Sequence, residues 1–451
     1  MKIIIVGCGQ VGEALAAELG GTGNSITVVD LSASKIASIT SRLDVMGVVG
    51  NGATHTTLKE AGISNADLLI AVTESDELNL LCCTIAKRHA KCKVIARIQN
   101  PEYSSEAEYL KDELGLAMVI NPEYAAAEEI ARVLRFPAAN KIETFSKGRV
   151  ELIEFKLPED SSLVGMSVWE VISKLKCDIL VCAIERGDEA YIANGDFIFE
   201  GKDVISIIAS QKKAADFFKK IGYTNQSIKS AMIIGATEMS HYLCTVLQKS
   251  GISLKVLDKD LSVCEDFSTK HQRVTVIHGE ETDQELMIEE GAESVDAFIS
   301  LTDNDEQNIF LSLFAKSKSD GKIITKIDKI DYDRIIKHLD FDTTVYPKAV
   351  TSDMITRYVR SLKHTVGSDV ETMYSIVKGK VEATEFVIKP DASIIGVPLS
   401  SIKFKDDVLV AAILRKGTLI IPRGNDTIQA DDSVVIVSKI LGLKDISAAI
   451  K

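Results

Sequence analysis

The sequence predicts an α/β protein with two doubly wound parallel sheets, each followed by a small α+β domain. In two stretches of the 451-residue chain, short β-branched runs alternate with helical patterns, and this alternation indicates parallel strands joined by helices. The chain also repeats itself. KIIIVGCGQVGEALAAEL, with VVD ending at Asp30, recurs as AMIIGATEMSHYLCTVL, with VLD ending at Asp258, an offset of 228 residues (258 − 30). A repeat this long indicates a tandem duplication.

Later landmarks keep nearly the same offset and divide the chain into four blocks in the order A–B–A′–B′. TESDELN (73–79) recurs as TDNDEQN (302–308), and PEDSSLVGMSV recurs as KPDASIIGVPL. The predicted domains span residues 1–138, 139–221, 229–350 and 366–451. A helical segment near 351–365 is expected to connect A′ to B′.

Block A is predicted element by element from its hydrophobic runs. IIIV (3–6) indicates a buried strand, and GEALAAEL indicates the helix that follows it. SITVVD, VMGVVG, ADLLIAVT and KVIARI indicate the next four strands, and MVINP with a following helix completes the block. Ser32 is expected to open the second helix and Thr54 the third, because their hydroxyls accept hydrogen bonds from free backbone N–H groups.

Block B has a different character from block A. Its short β-rich runs are separated by turn sequences such as RGDE and NGD, which are typical of hairpins between antiparallel strands. The phrase NGDFIFEGKDVISI recurs in B′ as RGNDTIQADDSVVIV. Both B blocks are therefore predicted to form small α+β domains.

The composition argues against several classes of protein. A net charge of −13 does not favour a general nucleic-acid binder or direct attraction to anionic lipid, so we expect any membrane association to run through a protein partner. The N-terminus lacks the features of a signal peptide, and no run of 18 apolar residues predicts a membrane-spanning helix. The eight cysteines form no CxxC pair, which indicates reduced cytosolic thiols.

A glycine fingerprint in block A indicates a dinucleotide site. Gly7 permits a tight turn after the first strand, Gly9 lets the backbone approach a pyrophosphate, and Gly12 lets the helix pack on the strand. The helix N-terminus offers its free N–H groups to the phosphates. Asp30 is placed to accept hydrogen bonds from both ribose hydroxyls and would repel a 2′-phosphate, which favours NAD(H) or an adenosine nucleotide over NADP(H). The alternative is a glycine turn that binds no ligand.

Three more segments end at the edge of the sheet where such ligands bind. Asn51 and Ala53 are candidates to lie near adenine, or they belong to a plain loop before the third helix. Thr73 and Glu74 are candidates to line the cleft, although the acids of TESDELN also suit the positive end of the next helix. Arg97 is a candidate for a phosphate or interface contact. Its alternative partners are the carboxylates of Glu74 and Asp76.

The second copy of the fingerprint is eroded. Gly235 remains, but Thr237 and Ser240 replace the other two glycines, and a threonine puts a β-branched side chain where a pyrophosphate would approach. Asp258 is retained, Lys326 replaces the arginine, and Thr302 and Asp303 replace the Thr-Glu pair. We expect A′ to fold like A and to bind a dinucleotide weakly or not at all. The seven histidines show no metal-binding spacing, and no nucleophile–base pair is evident.

Several segments together resemble a known family. The opening fingerprint, VVGNGATHTTLKEAGISNADLLIAVT, VIARIQNPEY and the A–B–A′–B′ repeat are similar to the TrkA family of Trk potassium uptake systems, over essentially the whole chain. Members are tandems of two KTN domains, also called RCK N-terminal domains, and two RCK C-terminal domains. By this resemblance A and A′ are Rossmann-like RCK N-terminal domains, and B and B′ are RCK C-terminal domains.

The resemblance implies a cytosolic regulatory subunit and no enzymatic activity. It implies a homo-oligomeric ring of RCK domains at the cytoplasmic face of the inner membrane, beneath a potassium channel or transporter of the TrkH, TrkG or KtrB type. NAD(H), and in some members ATP or ADP, would bind the cleft and shift the shape of the ring. Matched position by position, the implied site is Gly7, Cys8, Gly9, Gln10, Val11, Asp30, Thr73, Glu74 and Arg97. Many relatives keep a glycine fingerprint in A′, and this chain departs from them there.

Two other functions compete with this interpretation. An NAD-dependent oxidoreductase would need a substrate domain that places an acid or base against the nicotinamide, and the B blocks offer no candidate pair. A soluble nucleotide or redox sensor acting on transcription would need a basic recognition helix, which the sequence does not indicate.

Overall fold

The computed structural model describes residues 1–451 apart from 22, 147, 223–227, 249, 330–335, 337, 340, 363–367, 378 and 444. The chain divides into two compact units, each made of two segments that are distant in sequence. Unit 1 contains Met1–Ala131 and Lys229–Thr356, and unit 2 contains Arg132–Ile228 and Arg357–Lys451. The end of the predicted segment near 351–365, at 363–365, lies outside the described residues. None of the described helices is long and apolar enough to cross a membrane.

Block A forms a six-stranded parallel sheet in the order β3-β2-β1-β4-β5-β6, which confirms the predicted doubly wound fold. The strand order reverses between β1 and β4, and a crevice at such a point is where ligands bind in this class of sheet. The central strands are buried on both faces, so they appear in the sequence as continuous apolar runs. The strands are β1 (Lys2–Val6), β2 (Ser25–Asp30), β3 (Met46–Val49), β4 (Leu68–Ala71), β5 (Lys93–Arg97) and β6 (Met118–Ile120).

Seven helices of the described chain accompany this sheet. As predicted, the side chains of Ser32 and Thr54 cap the second and third helices. The first helix starts at Gln10, two residues before the predicted segment, so the free N–H groups of its first turn belong to the glycine loop. The helices are α1 (Gln10–Gly20), α2 (Ala33–Arg42), α3 (His55–Glu60), α4 (Asp76–His89), α5 (Pro101–Ser105), α6 (Ala107–Leu114) and α7 (Pro122–Arg135), with a short 3-10 helix at Ile63–Asn65.

Block A′ repeats this plan within unit 1. Its parallel sheet has the order β14-β13-β12-β15-β16-β17, the counterpart of the first sheet. The strands are β12 (Ser230–Ile234), β13 (Ser253–Asp258), β14 (Thr275–His278), β15 (Ala297–Ser300), β16 (Lys322–Lys326) and β17 (Thr343–Val345). The described helices of this block include α10 (Glu238–Leu247), α11 (Leu261–Lys270), α12 (Gln284–Glu289), α13 (Asp305–Lys318) and α14 (Pro347–Ser361).

The two halves of unit 1 meet through buried polar contacts. The hydroxyl of Tyr242 on α10 donates to the carbonyl of Gln99 at 2.8 Å and accepts from the amide of Asn121 at 2.8 Å. Its ring also packs edge-on against Tyr124, with centroids 5.6 Å apart. This tyrosine therefore satisfies both its hydrogen-bonding roles across the contact between A and A′.

Unit 2 contains two five-stranded antiparallel sheets, as the turn-rich B blocks predict. Their orders are β10-β9-β11-β8-β7 and β18-β19-β22-β20-β21, and the RGDE turn joins β9 to β10 as a hairpin. Block B contains β7 (Lys141–Phe145), β8 (Val150–Lys156), α8 (Val168–Leu175), β9 (Leu180–Arg186), β10 (Glu189–Ile192), β11 (Val204–Ala209) and α9 (Gln211–Lys220). Block B′ contains β18 (Ser368–Ile376), β19 (Val381–Ile388), β20 (Val408–Arg415), β21 (Thr418–Ile420) and β22 (Ser433–Ser438), with 3-10 helices at Leu399–Ser401 and Ile446–Ala449.

The two sheets of unit 2 share one apolar core. Phe145 and Cys182 of block B lie in the same buried cluster as Val381 and Val437 of block B′. The Tyr374 hydroxyl also donates to the carbonyl of Thr144 at 2.7 Å. Each unit is therefore built from equivalent blocks of the two sequence repeats.

Candidate functional site

A cavity of about 660 Å³ lies at the carboxyl edge of the first sheet, at the switch point between β1 and β4. Ten of the twelve residues predicted from the sequence line it, and they lie at or just beyond the carboxyl ends of β1, β2, β3, β4 and β5. They are Gly7, Cys8, Gly9, Gln10, Val11, Asp30, Asn51, Thr73, Glu74 and Arg97. The topology therefore brings together residues that are up to 90 positions apart in the sequence (97 − 7).

The three fingerprint glycines are explained by three different local geometries. Gly7 has φ +104°, and a Cβ there would lie 2.9 Å from the carbonyl oxygen of Val72, so the turn excludes other residues. A Cβ on Gly12 would lie 1.9 Å from the carbonyl oxygen of Gly7, so this glycine allows the close approach of α1 to the loop, as predicted. A Cβ on Gly9 would meet no atom within 4 Å, so it would project into open space.

Gly12 and Ala53 are the two predicted site residues that do not line the cavity. Gly12 lies behind the loop, where it packs helix against strand. Ala53 belongs to the turn before α3, where its backbone N–H donates to the side-chain oxygen of Asn51 at 2.9 Å. The neighbouring Gly50 and Gly52 line the cavity in its place.

The Asp30 carboxylate is held in a fixed orientation by backbone donors. One oxygen accepts the N–H of Cys8 at 2.7 Å, and the other accepts the N–H of Ser32 at 2.8 Å. Each carboxylate oxygen has a further lone pair, so the group can still accept hydrogen bonds from a ligand. Burial raises the pKa of the Cys8 thiol to about 12, and the nearby charge of Asp30 adds to this shift.

A buried asparagine positions the loop after β4. The side-chain oxygen of Asn79, which is fully buried, accepts the backbone N–H of Thr73 at 2.8 Å and its hydroxyl at 2.7 Å. The amide of Asn79 donates to the carbonyls of Thr73 and Arg97. Asn308 makes the equivalent contacts with Thr302 and Lys326 in A′. Asn79 is a functional residue that was not predicted from the sequence, although its recurrence as Asn308 in TDNDEQN is a usable signal.

The acids of TESDELN have separate positions. Glu74 lines the cavity, whereas Asp76 and Glu77 lie in the first turn of α4, where negative charge is favourable. The Asp76 carboxylate accepts the backbone N–H groups of Gln99 and Asn100 at 2.8–3.0 Å, so it links α4 to the loop after β5. The helix-start interpretation is therefore confirmed for Asp76 and Glu77, and the ligand role of Glu74 stays a prediction.

Arg97 lies in the cavity wall with unused hydrogen-bonding capacity. One terminal nitrogen approaches the carbonyl oxygen of Thr73 at 3.5 Å, and the buried Nε has no hydrogen-bond partner. Among the described residues it forms no ion pair within 4 Å with Glu74 or Asp76, so that alternative does not occur. Burial lowers the pKa of Arg97, and the charge of Glu123 is the largest influence that opposes this shift. A guanidinium in this state is suited to an anionic ligand.

Three charged residues of the cavity wall were not predicted from the sequence. Glu13 and Lys35 come from α1 and α2, and their charges act on the Cys8 thiol together with that of Asp30. Lys348 comes from the first turn of α14 in the other half of unit 1. Only the fold brings Lys348 to this cavity, because it follows the last strand of A′.

In A′, Thr237 and Ser240 stand at the positions where block A has Gly9 and Gly12, and their side chains form hydrogen bonds within the loop. The Thr237 hydroxyl, which caps α10, donates to the carbonyl of Leu301 at 3.1 Å, and the Ser240 hydroxyl donates to the carbonyl of Gly235 at 2.5 Å. Asp258 accepts the N–H of Ala236 at 2.7 Å, as Asp30 does in block A. The conserved part of the second copy is thus the carboxylate, and the altered part is the glycine loop.

Lys326, which replaces the arginine, is already paired. Its amino group lies 3.2 Å from a carboxylate oxygen of Asp303 and 3.8 Å from one of Asp328. Burial opposes its charge, but Glu123, Asp328 and Asp303 outweigh burial and raise the pKa of Lys326. Lys326 therefore offers less free positive charge than Arg97 does.

Comparison with known proteins matches both kinds of block. The TrkA-N domain family matches residues 3–122 and 231–347, and the TrkA-C domain family matches residues 152–222 and 383–451. The Trk system potassium uptake protein TrkA homolog 1 of Methanosarcina mazei is 30% identical over 446 residues, with 97% of each chain covered.

Solved structures share the architecture at low sequence identity. A GsuK channel bound to NAD is 14% identical, with a TM-score of 0.64 over 97% of this chain and 76% of that chain. A GsuK structure bound to ADP is 15% identical, with a TM-score of 0.51 over 79% of this chain and 69% of that chain. These similarities establish a common fold, and the sequence matches establish more: the chain belongs to the TrkA family, as a tandem of two TrkA-N and two TrkA-C domains.

Proposed function

We propose that this chain is the nucleotide-binding regulatory subunit of a Trk-type potassium uptake system. The observation that carries the proposal is the cavity at the β1–β4 switch point, where the glycine loop, Asp30 and Arg97 converge. The free N–H groups of α1 suit a pyrophosphate, and the oriented carboxylate suits the two hydroxyls of a ribose. Membership of the TrkA family supports the assignment to potassium uptake.

NAD(H) is the ligand class that this site fits best, and ATP or ADP are also suited to it. The Asp30 carboxylate would repel a ribose 2′-phosphate, which disfavours NADP(H). A GsuK channel that shares this fold is bound to NAD in one structure, and GsuK is bound to ADP in another, which supports a nucleotide as the ligand. In the A′ half, Thr237 and Ser240 occupy the loop, so we assign this half a structural role with weak or no nucleotide binding.

The proposed mechanism is a shift in population between two arrangements of the protein. A nucleotide that binds one arrangement more tightly favours it by the difference in binding free energy, and a coupled membrane subunit responds to that arrangement. The partner would be a potassium channel or transporter of the TrkH, TrkG or KtrB type. The chain would form a ring of RCK domains on the cytoplasmic face of the membrane, with domain limits near 1–138, 139–221, 229–350 and 366–451.

The competing oxidoreductase function finds less support in the cavity. Its described lining contains neither histidine nor tyrosine, and the raised pKa of Cys8 keeps that thiol protonated at neutral pH. Incubation with NADH and a panel of carbonyl substrates tests this alternative, and steady turnover would favour it. The transcriptional sensor is tested by a gel shift at physiological salt, where specific DNA binding would favour it.

Potassium flux with and without the chain tests the proposed function. The chain is co-purified with the membrane transporter of the same cell and reconstituted in vesicles. We expect the flux to depend on the chain and on nucleotide. Flux and nucleotide response that are unchanged when the chain is removed would refute the proposal.

A further inference from the structure

One cation of the cavity wall comes from the other half of unit 1. Among the described lining residues, Lys348 is the one contributed by A′, and every other lining residue belongs to A. It is the second residue of α14, and its side chain is about one-third exposed. Its amino group lies 3.7 Å from the Asp328 carboxylate, a loose ion pair that leaves hydrogen-bonding capacity for another anion.

The helix that carries Lys348 is anchored on the helix of the glycine fingerprint. Ser352, one turn further along α14 and 5% exposed, donates its hydroxyl to the Glu18 carboxylate of α1 at 2.9 Å. Thr351 beside it is fully buried. This contact ties α14 to α1, and the N-terminus of α1 and the Lys348 side chain line the same cavity.

The charges of the cavity separate into two groups. Lys35 lies in the first turn of α2, which begins three residues after Asp30, so it belongs to the ribose end. Glu13 of α1 is paired with Arg42 of α2 at 2.6 Å. Arg97 is the last residue of β5, which lies on the opposite side of β1 from β2 in the sheet. Of the lining residues that the structure describes, Arg97 and Lys348 are the two cations that do not come from α2. The Nε of Arg97 has no hydrogen-bond partner and Lys348 has only a loose ion pair, so both have donors for phosphate oxygens.

We propose that Lys348 binds a phosphate of the nucleotide held in the A cleft, so that A′ completes a site whose fingerprint lies wholly in A. This inference rests on the proposed nucleotide-binding function and adds a residue to it. Nucleotide phosphate then bridges the two halves of unit 1 through α14. A ligand with a diphosphate or triphosphate gains this contact, and a nucleoside without phosphate does not.

The test measures binding of ADP and adenosine to the full-length protein, with adenosine measured by competition at millimolar concentration. The variants are Lys348→Met, which removes the charge and keeps the aliphatic chain, and Lys348→Arg, which keeps the charge. Lys270→Met is the matched control, because Lys270 is also a lysine of A′ paired with a carboxylate, that of Asp266, and does not line the cavity. Thermal unfolding checks that each variant folds.

We expect Lys348→Met to weaken ADP binding about tenfold, in line with the loss of one charge-assisted hydrogen bond. Lys348→Arg and Lys270→Met should stay within about twofold of the wild type, and adenosine binding should not change. An ADP affinity within twofold of the wild type in Lys348→Met would overturn the inference and leave the proposed function standing. Equal losses for ADP and adenosine would also overturn it, since they indicate an indirect effect. A wild-type protein that binds no nucleotide would overturn the proposed function itself.

Discussion

The Asp30 carboxylate accepts a 2.7 Å hydrogen bond from the backbone N–H of Cys8, which fixes the carboxylate at the edge of the cavity between β1 and β4. Asp258 makes the same bond, also at 2.7 Å, with the N–H of Ala236 in the second half. The two carboxylates therefore have equal local structure, and the difference between the halves lies in the glycine loops that face them.

Replacing Asp30 by alanine is expected to abolish most nucleotide binding. Two charge-assisted hydrogen bonds to ribose hydroxyls would be lost, each about 1.5–3 kcal/mol, which corresponds to at least a hundredfold weaker binding. Asp258→Ala is the matched control, because it removes the same backbone hydrogen bond. Calorimetric titration should show the loss in Asp30→Ala alone, while both variants unfold at similarly lowered temperatures. Equal losses of binding would show that the second site is functional.

Replacing Gly9 is expected to affect nucleotide binding, whereas replacing Gly12 is expected to affect stability. Gly9→Thr copies the residue that stands in A′, where Thr237 has a nearly identical backbone conformation, so the protein should fold with little change in stability. Binding of NAD or ADP should fall about a hundredfold or more, because the threonine side chain would occupy the space that we propose for the phosphates. Binding assays and thermal unfolding together check this.

Gly12→Ala is the complementary change in the same loop. Its Cβ would lie 1.9 Å from the carbonyl oxygen of Gly7, so the loop must move, and the free energy of unfolding should fall by about 1–3 kcal/mol. Unfolding midpoints measure this effect. A stable Gly12→Ala together with tight binding in Gly9→Thr would contradict the assigned roles of both glycines.

The contact between A and A′ depends on the Tyr242 hydroxyl. Tyr242→Phe leaves the carbonyl of Gln99 and the amide of Asn121 without this partner, and should destabilise the protein by about 1–3 kcal/mol. Tyr109→Phe is the control, since Tyr109 is 63% exposed. The urea midpoints of both variants are compared with that of the wild type. An unchanged midpoint for Tyr242→Phe would mean that this contact does not stabilise unit 1.

A pair of histidines in A′ makes stability depend on pH. The Nε2 of His271 lies 2.8 Å from the Nδ1 of His241, and burial lowers the pKa of His271 to about 4, with the neighbouring His241 as the next cause. The folded protein favours the neutral form of His271. The stabilising contribution of this neutral ring is therefore fully present above about pH 6.5 and is lost as the pH falls towards 4.

The effect of the histidine pair is measurable by difference. Because the His271 ring is only half buried, we expect its protonation to lower the free energy of unfolding by about 1 kcal/mol between pH 7 and pH 5. His271→Gln should reduce the loss of stability over this range, whereas His89→Gln, at an exposed helix end, should not. An identical pH dependence in wild type and His271→Gln would contradict the prediction.

The parts of the site that depend on local sequence were predictable, and the parts that depend on long-range packing were not. The strand, glycine loop, helix and Asp30 lie within 30 residues, and their spacing alone indicates the fold of block A. Lys348 reaches the same cavity only because A packs on A′. Nothing in the sequence indicates that equivalent blocks pair in this way. An apolar pattern predicts that a surface is buried, but it does not identify the block against which that surface packs. Ala53 lies outside the cavity wall because it belongs to a loop whose turn direction the sequence does not determine.

Potassium or rubidium uptake into vesicles that contain the membrane subunit and this chain tests the central claim most directly. Uptake is measured with and without nucleotide for wild type, Asp30→Ala and Asp258→Ala. We predict that nucleotide changes the flux with the wild type and with Asp258→Ala, and has little effect with Asp30→Ala. A full nucleotide response in Asp30→Ala would contradict the claim that a nucleotide in the first cleft controls transport.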